Sequence, residues 1–216
     1  MKNIWIAVVS HKAAAFPKIP FHFPICAGAY KNYDIKEMGD SVFCDNIGDN
    51  ISEKNDVYNE LTVQYWMWKN LKSYDYAGLC HYRRFFNFSS NANKRARVAE
   101  NYFHENMRNK YGWNEREILS QLEKYDIIVA RPEAAVRPGI KSIRENTEIY
   151  DTRGDFRLWS GVIKKLYPEY YPYYEKYVEQ SNKHMFNMFV MRKDLFVEYS
   201  EWLFNILFLF EKNPRS

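Results

Sequence analysis

The sequence predicts an α/β fold, a single domain over residues 1–216 with a mainly parallel central sheet flanked by helices. Three observations point there. Residues 4–9 and 76–81 are apolar almost throughout and end in polar residues, the pattern of parallel strands buried on both faces. A segment of helical periodicity lies between them, which makes the order β-α-β. The third observation is bulk: 216 residues with 46% hydrophobic and 18% aromatic side chains can fill one large core, and the composition is not that of a disordered chain.

The first strand, 4–9, runs out into Ser10-His11-Lys12. Its apolar stretch is too short for a signal peptide or a spanning helix. Pro17, Pro20 and Pro24 then mark a loop with short extended pieces, of which 23–27 reads as a strand. The turn Gly48-Asp49-Asn50-Ile51-Ser52 opens a helix over 57–71, with Ser52 or Asn59 as its cap and Leu61, Tyr65, Trp66, Trp68 and Leu71 near helical spacing. After Ser73-Tyr74-Asp75 comes YAGLCHYRRFF, a second buried strand leading into a basic, aromatic loop. Residues 87–116 are polar, and 115–124 repeat Ile118, Leu119 and Leu122 as a helix does.

A third strand over 125–130 stops at Arg131-Pro132, and the charged segment 131–155, with its two prolines and two glycines, has the composition of a mobile surface lid. Helices follow at 155–166, 168–180 and 193–211, with FNMFVM as a short fourth strand. The last helix is apolar on more than one face. Its Leu195, Phe196, Leu203, Phe204, Leu207 and Phe208 predict peripheral contact with a membrane surface or a partner.

Charge and cysteines narrow the function. A net charge of +4 suits nucleotide phosphates or an anionic membrane surface, while the dispersed basic residues give no reason to expect nucleic acid. Cys26, Cys44 and Cys80 are odd in number and lack metal spacing, which predicts reduced thiols and a cytoplasmic protein. There is no phosphate-binding G-x-x-x-x-G-K-[ST] loop, no G-x-G-x-x-G, no G-x-S-x-G, no H-E-x-x-H, no C-x-x-C and no Asp-x-Asp.

Ligands of open α/β sheets lie beyond the C-terminal ends of the strands, so residues just after strands are the candidates. Arg83 and Arg84 offer guanidinium forks for a diphosphate, or form a solvated turn. His81 beside them is a donor to phosphate or hydroxyl, or a structural histidine. Asp49 and Asn50 suit sugar hydroxyls, or serve an ordinary turn. Glu60 can act as a base in a partly apolar cleft near Trp66 and Trp68, or as a first-turn acid favoured by the helix dipole.

The stretch GDNIS-x-x-N-x-x-x-x-E-L-T-x-x-Y-W-x-W-K-N from Gly48 to Asn70, followed by YAGLCHYRRFF, resembles a bacterial family of capsular and exopolysaccharide biosynthesis glycosyltransferases. The likeness extends to SHK after the first strand, to Tyr125-Asp126-Ile127-Ile128 with Arg131-Pro132, to YPEYY at 167–171 and to FNMFVMRKDLFVEYSEWLF at 186–204. The resemblance implies a GT-A-like nucleotide-diphosphosugar transferase fold, a UDP-sugar donor, with galactofuranose transferred by some members, and a lipid-linked glycan acceptor. It implies nucleotide contacts from Ser10, His11 and Lys12, sugar contacts from Asp49 and Asn50, and a general base in Glu60 or Asp155 beside His81. Asn187, His184 and Trp66 fall on the acceptor side.

Arg83 and Arg84 lie where such enzymes carry Asp-x-Asp, which implies diphosphate neutralisation by protein charge in place of manganese or magnesium. The rival expectation is a non-catalytic sugar- or nucleotide-binding subunit. Family members continue past the position of Arg215-Ser216 with a further basic-aromatic segment, so a shortened member or a fragment is expected.

Overall fold

The computed structural model describes residues 2–31, 41–90, 97–98, 103, 106–151 and 154–212; Arg215-Ser216 lie outside the described residues. In chain order the strands are β1 (Ile4–Ser10), β2 (His22–Cys26), β3 (Phe43–Cys44), β4 (Tyr76–His81), β5 (Phe85–Phe86), β6 (Arg97–Val98), β7 (Ile127–Val129), β8 (Pro132–Ala134), β9 (Asn182–His184) and β10 (Phe189–Arg192). The helices are α1 (Asn55–Tyr58), α2 (Leu61–Asn70), α3 (Met107–Lys110), α4 (Glu115–Lys124), α5 (Ile143–Tyr150), α6 (Asp155–Leu166), α7 (Tyr171–Val178) and α8 (Lys193–Lys212). The chain divides into two compact units, Met1–Arg131 with Phe186–Ser200, and Pro132–Met185 with Glu201–Ser216.

The first unit holds a six-stranded sheet in the order β3-β2-β1-β4-β10-β7. Strands β1 to β4 pair in parallel, and β10 runs antiparallel to both β4 and β7. This is the expected mixed α/β fold with a mostly parallel sheet. Alternation sorts β1 onto two cores: Ile4, Ile6 and Val8 join Tyr76, Cys80 and Val190 on one face, while Ala7 and Val9 join Ala77, Leu79 and Phe189 on the other. The first core adds Phe85, Phe86, Phe88 and Trp113 with Ile118 and Leu122 of α4, and the second adds Val63 and Met67 of α2 with Phe196 of α8. Both faces being covered, the strands read as unbroken apolar runs.

Two local expectations change. The helix predicted over 57–71 is interrupted: α1 ends at Tyr58, Asn59 has φ 48° and ψ −129°, and α2 begins at Leu61. The Asn59 carbonyl accepts from Asn55 Nδ2 at 2.7 Å, with Thr62 Oγ1 3.1 Å away, so side chains close the break. The third strand is shorter than 125–130 and lies at the sheet edge, where Ile127 and Val129 are exposed.

The second unit pairs β8 with β9 antiparallel and packs α6, α7 and the later residues of α8 around Val162, Ile163 and Ile206. Segment 131–155 carries β8 and α5, whose cap Ser142 accepts from the Glu145 amide at 3.1 Å; residues 152 and 153 lie outside the described set. Of the six apolar side chains expected to face a membrane, Phe196, Leu203 and Phe204 are buried and Leu195, Leu207 and Phe208 half-buried. Among the described residues no helix is long and apolar enough to cross a membrane.

Candidate active site

The register of β1 and β4 aligns Val9 with His81, so the two parallel strands stop side by side. The Tyr82 amide extends the match by donating to the Val9 carbonyl at 3.0 Å. Beyond these ends lies a cleft of about 490 Å³ lined by Ser10, His11, His81, Tyr82, Arg83 and Arg84, and by Asn55, Asp56, Asn59 and Glu60 from the junction of α1 and α2, with Phe186. Ligand position at the carboxyl ends of parallel strands follows the rule for open α/β sheets.

The basic pair sits on a tight turn. Backbone bonds join His81 and Arg84 in both directions, N to O at 3.1 Å and 2.9 Å, so β4 has ended before Arg83. Strand alternation, which would send Arg83 and Arg84 to opposite sides, therefore does not apply, and both line the cleft. Arg84 lies over the Phe186 ring at 4.1 Å and Arg83 over the Tyr82 ring at 4.9 Å. Stacking on an aromatic face holds a guanidinium in place while leaving its donors free for an anion. Neither arginine has a carboxylate partner among the described residues. The buried Tyr82 hydroxyl likewise has no hydrogen-bond partner there.

His81 donates from Nε2 to the Phe186 carbonyl at 2.6 Å, since a carbonyl can only accept. Burial pushes its pKa below the usual histidine range; the Phe186 carbonyl and the Glu60 charge work against that shift, and Arg84 works with it. At neutral pH the ring is neutral, with the Nδ1 lone pair retained. Phe186 and Asn187 both have positive φ, 70° and 48°, and Asn187 is braced by Gln64 at 3.3 Å and Tyr199 at 3.5 Å.

Asp45, unremarked in the sequence, organises the wall. It is fully buried and accepts from the Gly28 and Ala29 amides at 2.9 Å each, from Ser52 Oγ at 2.5 Å and from Thr62 Oγ1 at 2.6 Å. Gly28 has φ 66°, and a Cβ there would come within 2.7 Å of the Asn55 side chain. Both features tie the loop after β2 to the α1–α2 junction.

The other predicted residues lie elsewhere or are engaged in local structure. Ser10 lines the cleft, but its hydroxyl donates to the Lys12 carbonyl at 2.6 Å and shapes its own loop. Lys12 Nζ is 5.9 Å from the Tyr82 ring centroid. Asp49 accepts from the Tyr65 hydroxyl at 3.1 Å, Asn50 donates to the Gly48 carbonyl at 2.8 Å, and the Trp66 indole donates to the Ile47 carbonyl at 2.8 Å, all within one braced turn. Asp155, in the first turn of α6, and His184, in β9, belong to the second unit.

Asp56 is paired with Lys31 at 2.6 Å, and among the described residues no three His, Cys, Asp or Glu side chains converge.

Sheet order, reversed β10 and a cleft beyond the parallel strand ends define the class: a mixed α/β domain with a mostly parallel sheet, open to a ligand at the carboxyl ends of its strands. The chain belongs to the family described as Domain of unknown function (DUF4422), whose profile matches residues 5–215. It is similar to the apo structure of the WbbM bifunctional glycosyltransferase, with 33% identity and a TM-score of 0.85 over 100% of this chain. The match takes in 38% of that chain, so this sequence spans well under half of the bifunctional enzyme's length. No curated protein matches.

Proposed function

We propose that the chain is a glycosyltransferase domain that moves a sugar from a UDP-sugar to a hydroxyl of a growing capsular, exopolysaccharide or O-antigen glycan. The observation that carries this is the pair of stacked guanidinium groups of Arg83 and Arg84, without a carboxylate partner among the described residues, sharing one cleft with the half-buried Glu60. In the proposed step the acceptor hydroxyl bonds to the anomeric carbon and its proton passes to Glu60. The bond from that carbon to the diphosphate oxygen breaks, and Arg83 and Arg84 neutralise the departing UDP. Similarity to a bifunctional glycosyltransferase over the whole of this chain supports the reading.

Calorimetry with UDP in the presence of excess chelator tests the site. UDP binds under those conditions, and Arg83→Ala and Arg84→Ala each lower turnover on a lipid-linked acceptor by about 100-fold, the scale of one preorganised charge-stabilising group. Arg83→Lys recovers only part, because a point charge replaces a fork. Binding that requires manganese would remove the cationic-pair mechanism. Wild-type turnover in Arg83→Ala would reduce the pair to a solvated turn, and binding without turnover would select a sugar- or nucleotide-binding subunit.

A further inference from the structure

The backbone of Asn59 lies at φ 48°, ψ −129°. This is the conformation of the first central residue of a type II′ turn, which glycine adopts freely and a residue with a Cβ adopts only under strain. Asparagine's tolerance of positive φ does not extend to it, because the left-handed well has positive ψ. Glycine would suit the turn better, yet the sequence places a carboxamide there. Asn59 is exposed and lines the cleft next to Glu60. Its side chain makes no hydrogen bond among the described residues. Its neighbours are engaged: Asn55 Nδ2 donates to the Asn59 carbonyl at 2.7 Å and to Thr62 Oγ1 at 3.2 Å, and Asp56 pairs with Lys31 at 2.6 Å.

We infer that Asn59 is a specificity residue that reads the transferred sugar of the donor, its carboxamide donating to one hydroxyl and accepting from the next. The inference rests on the nucleotide-sugar reading above. An uncharged amide with both a donor and an acceptor matches the paired donor-acceptor character of sugar hydroxyls, just as the guanidinium pair matches a diphosphate. The strained kink also separates α1 from α2 and places Asn59 and Glu60 at one cleft, so the residue that reads the sugar adjoins the residue that takes the acceptor proton.

Asn59→Gly relaxes the turn and deletes the carboxamide together, and the two effects have opposite signs. Thermal unfolding and calorimetry with UDP, UDP-galactose, UDP-glucose and UDP-galactofuranose read them separately. The variant unfolds about 2–4 °C above wild type. It binds UDP as wild type does and loses about ten-fold in affinity for the UDP-sugar that wild type binds best, the scale of one or two neutral hydrogen bonds. Asn59→Asp, which keeps the shape but not the amide donor, shows a loss on the UDP-sugar with UDP affinity retained. An Asn59→Gly protein with unchanged UDP-sugar affinity overturns the inference while nucleotide binding stands. A lowered unfolding midpoint overturns the strain argument beneath it. Wild-type protein that binds none of the four nucleotides overturns the nucleotide-sugar reading itself, a failure distinct from the other two.

Discussion

The imidazole of His22 donates from Nδ1 to the Pro20 carbonyl at 2.8 Å, while its Nε2 is buried beside the rings of Phe85 and Phe88 and has no hydrogen-bond partner among the described residues. The residue as a whole is half-buried, but the ring nitrogens are enclosed, and burial lowers the pKa from 6.5 to about 4. In the unfolded chain the ring takes a proton near pH 6.5; in the folded chain it does so only near pH 4. Between those values the unfolded state binds more protons, so this residue's contribution to stability is complete above about pH 6.5 and is lost as pH falls towards 4. His22→Phe removes that component, and its unfolding midpoint changes less than the wild-type midpoint between pH 6.5 and 4. Equal pH dependence in the two proteins would show that His22 does not titrate in this way.

Arginines 83 and 84 show how far single residues were legible. Their position after a buried apolar run marked them as ligand candidates, because strand ends are where an open sheet exposes side chains to a ligand. Their shared access to the cleft was not legible, since the turn at His81–Arg84 depends on bonds between backbone groups that leave no mark on side-chain periodicity. Asp45 was missed for a related reason: it follows a two-residue strand, too short for any periodic signal.

Among the elements, the α1–α2 break and the loop after β2 depend on each other. Gly28 makes room for Asn55, and Asp45 gathers four donors from three segments. Asp45→Ala leaves two buried amides and two hydroxyls without their acceptor, and urea unfolding records a loss of at least about 3 kcal/mol. A loss under about 1 kcal/mol would mean that water or a rearranged Ser52 replaces the carboxylate at little cost. The helices themselves were largely legible: α4 and α6 fall on 115–124 and 155–166 as their apolar spacing predicts. The interruption at Asn59 was not, because every residue from Val57 to Leu71 is compatible with a helix, and the side chains that brace the kink, Asn55 and Thr62, the latter held by Asp45, leave no mark on apolar spacing.

At the scale of the whole molecule, both units are discontinuous in sequence. Strand β10 lies inside the six-stranded sheet, between β4 and β7, although it follows β7 by some sixty residues of chain. A fragment of residues 1–131 therefore lacks an interior strand and exposes the edges of β4 and β7. Such a fragment shows no cooperative thermal transition by circular dichroism, whereas the full chain does; a cooperative transition in the fragment would mean that β4 and β7 can pair without β10.

Composition and apolar patterning alone determined the α/β class, the parallel strands β1 and β4, most helix positions and the polar strand ends where a ligand belongs, because burial on both faces of a sheet or on one face of a helix is written directly as periodicity. Tertiary structure decided which of those polar groups meet. It placed Glu60, Asn59, His81, Arg83 and Arg84 at one cleft, turned Asp49, Asn50 and Trp66 to the bracing of a turn, and buried or half-buried the apolar side chains of α8. The physical reason is that a side chain's neighbours are set by register, reversal and long-range hydrogen bonds, which join residues far apart in the chain and have no period along it.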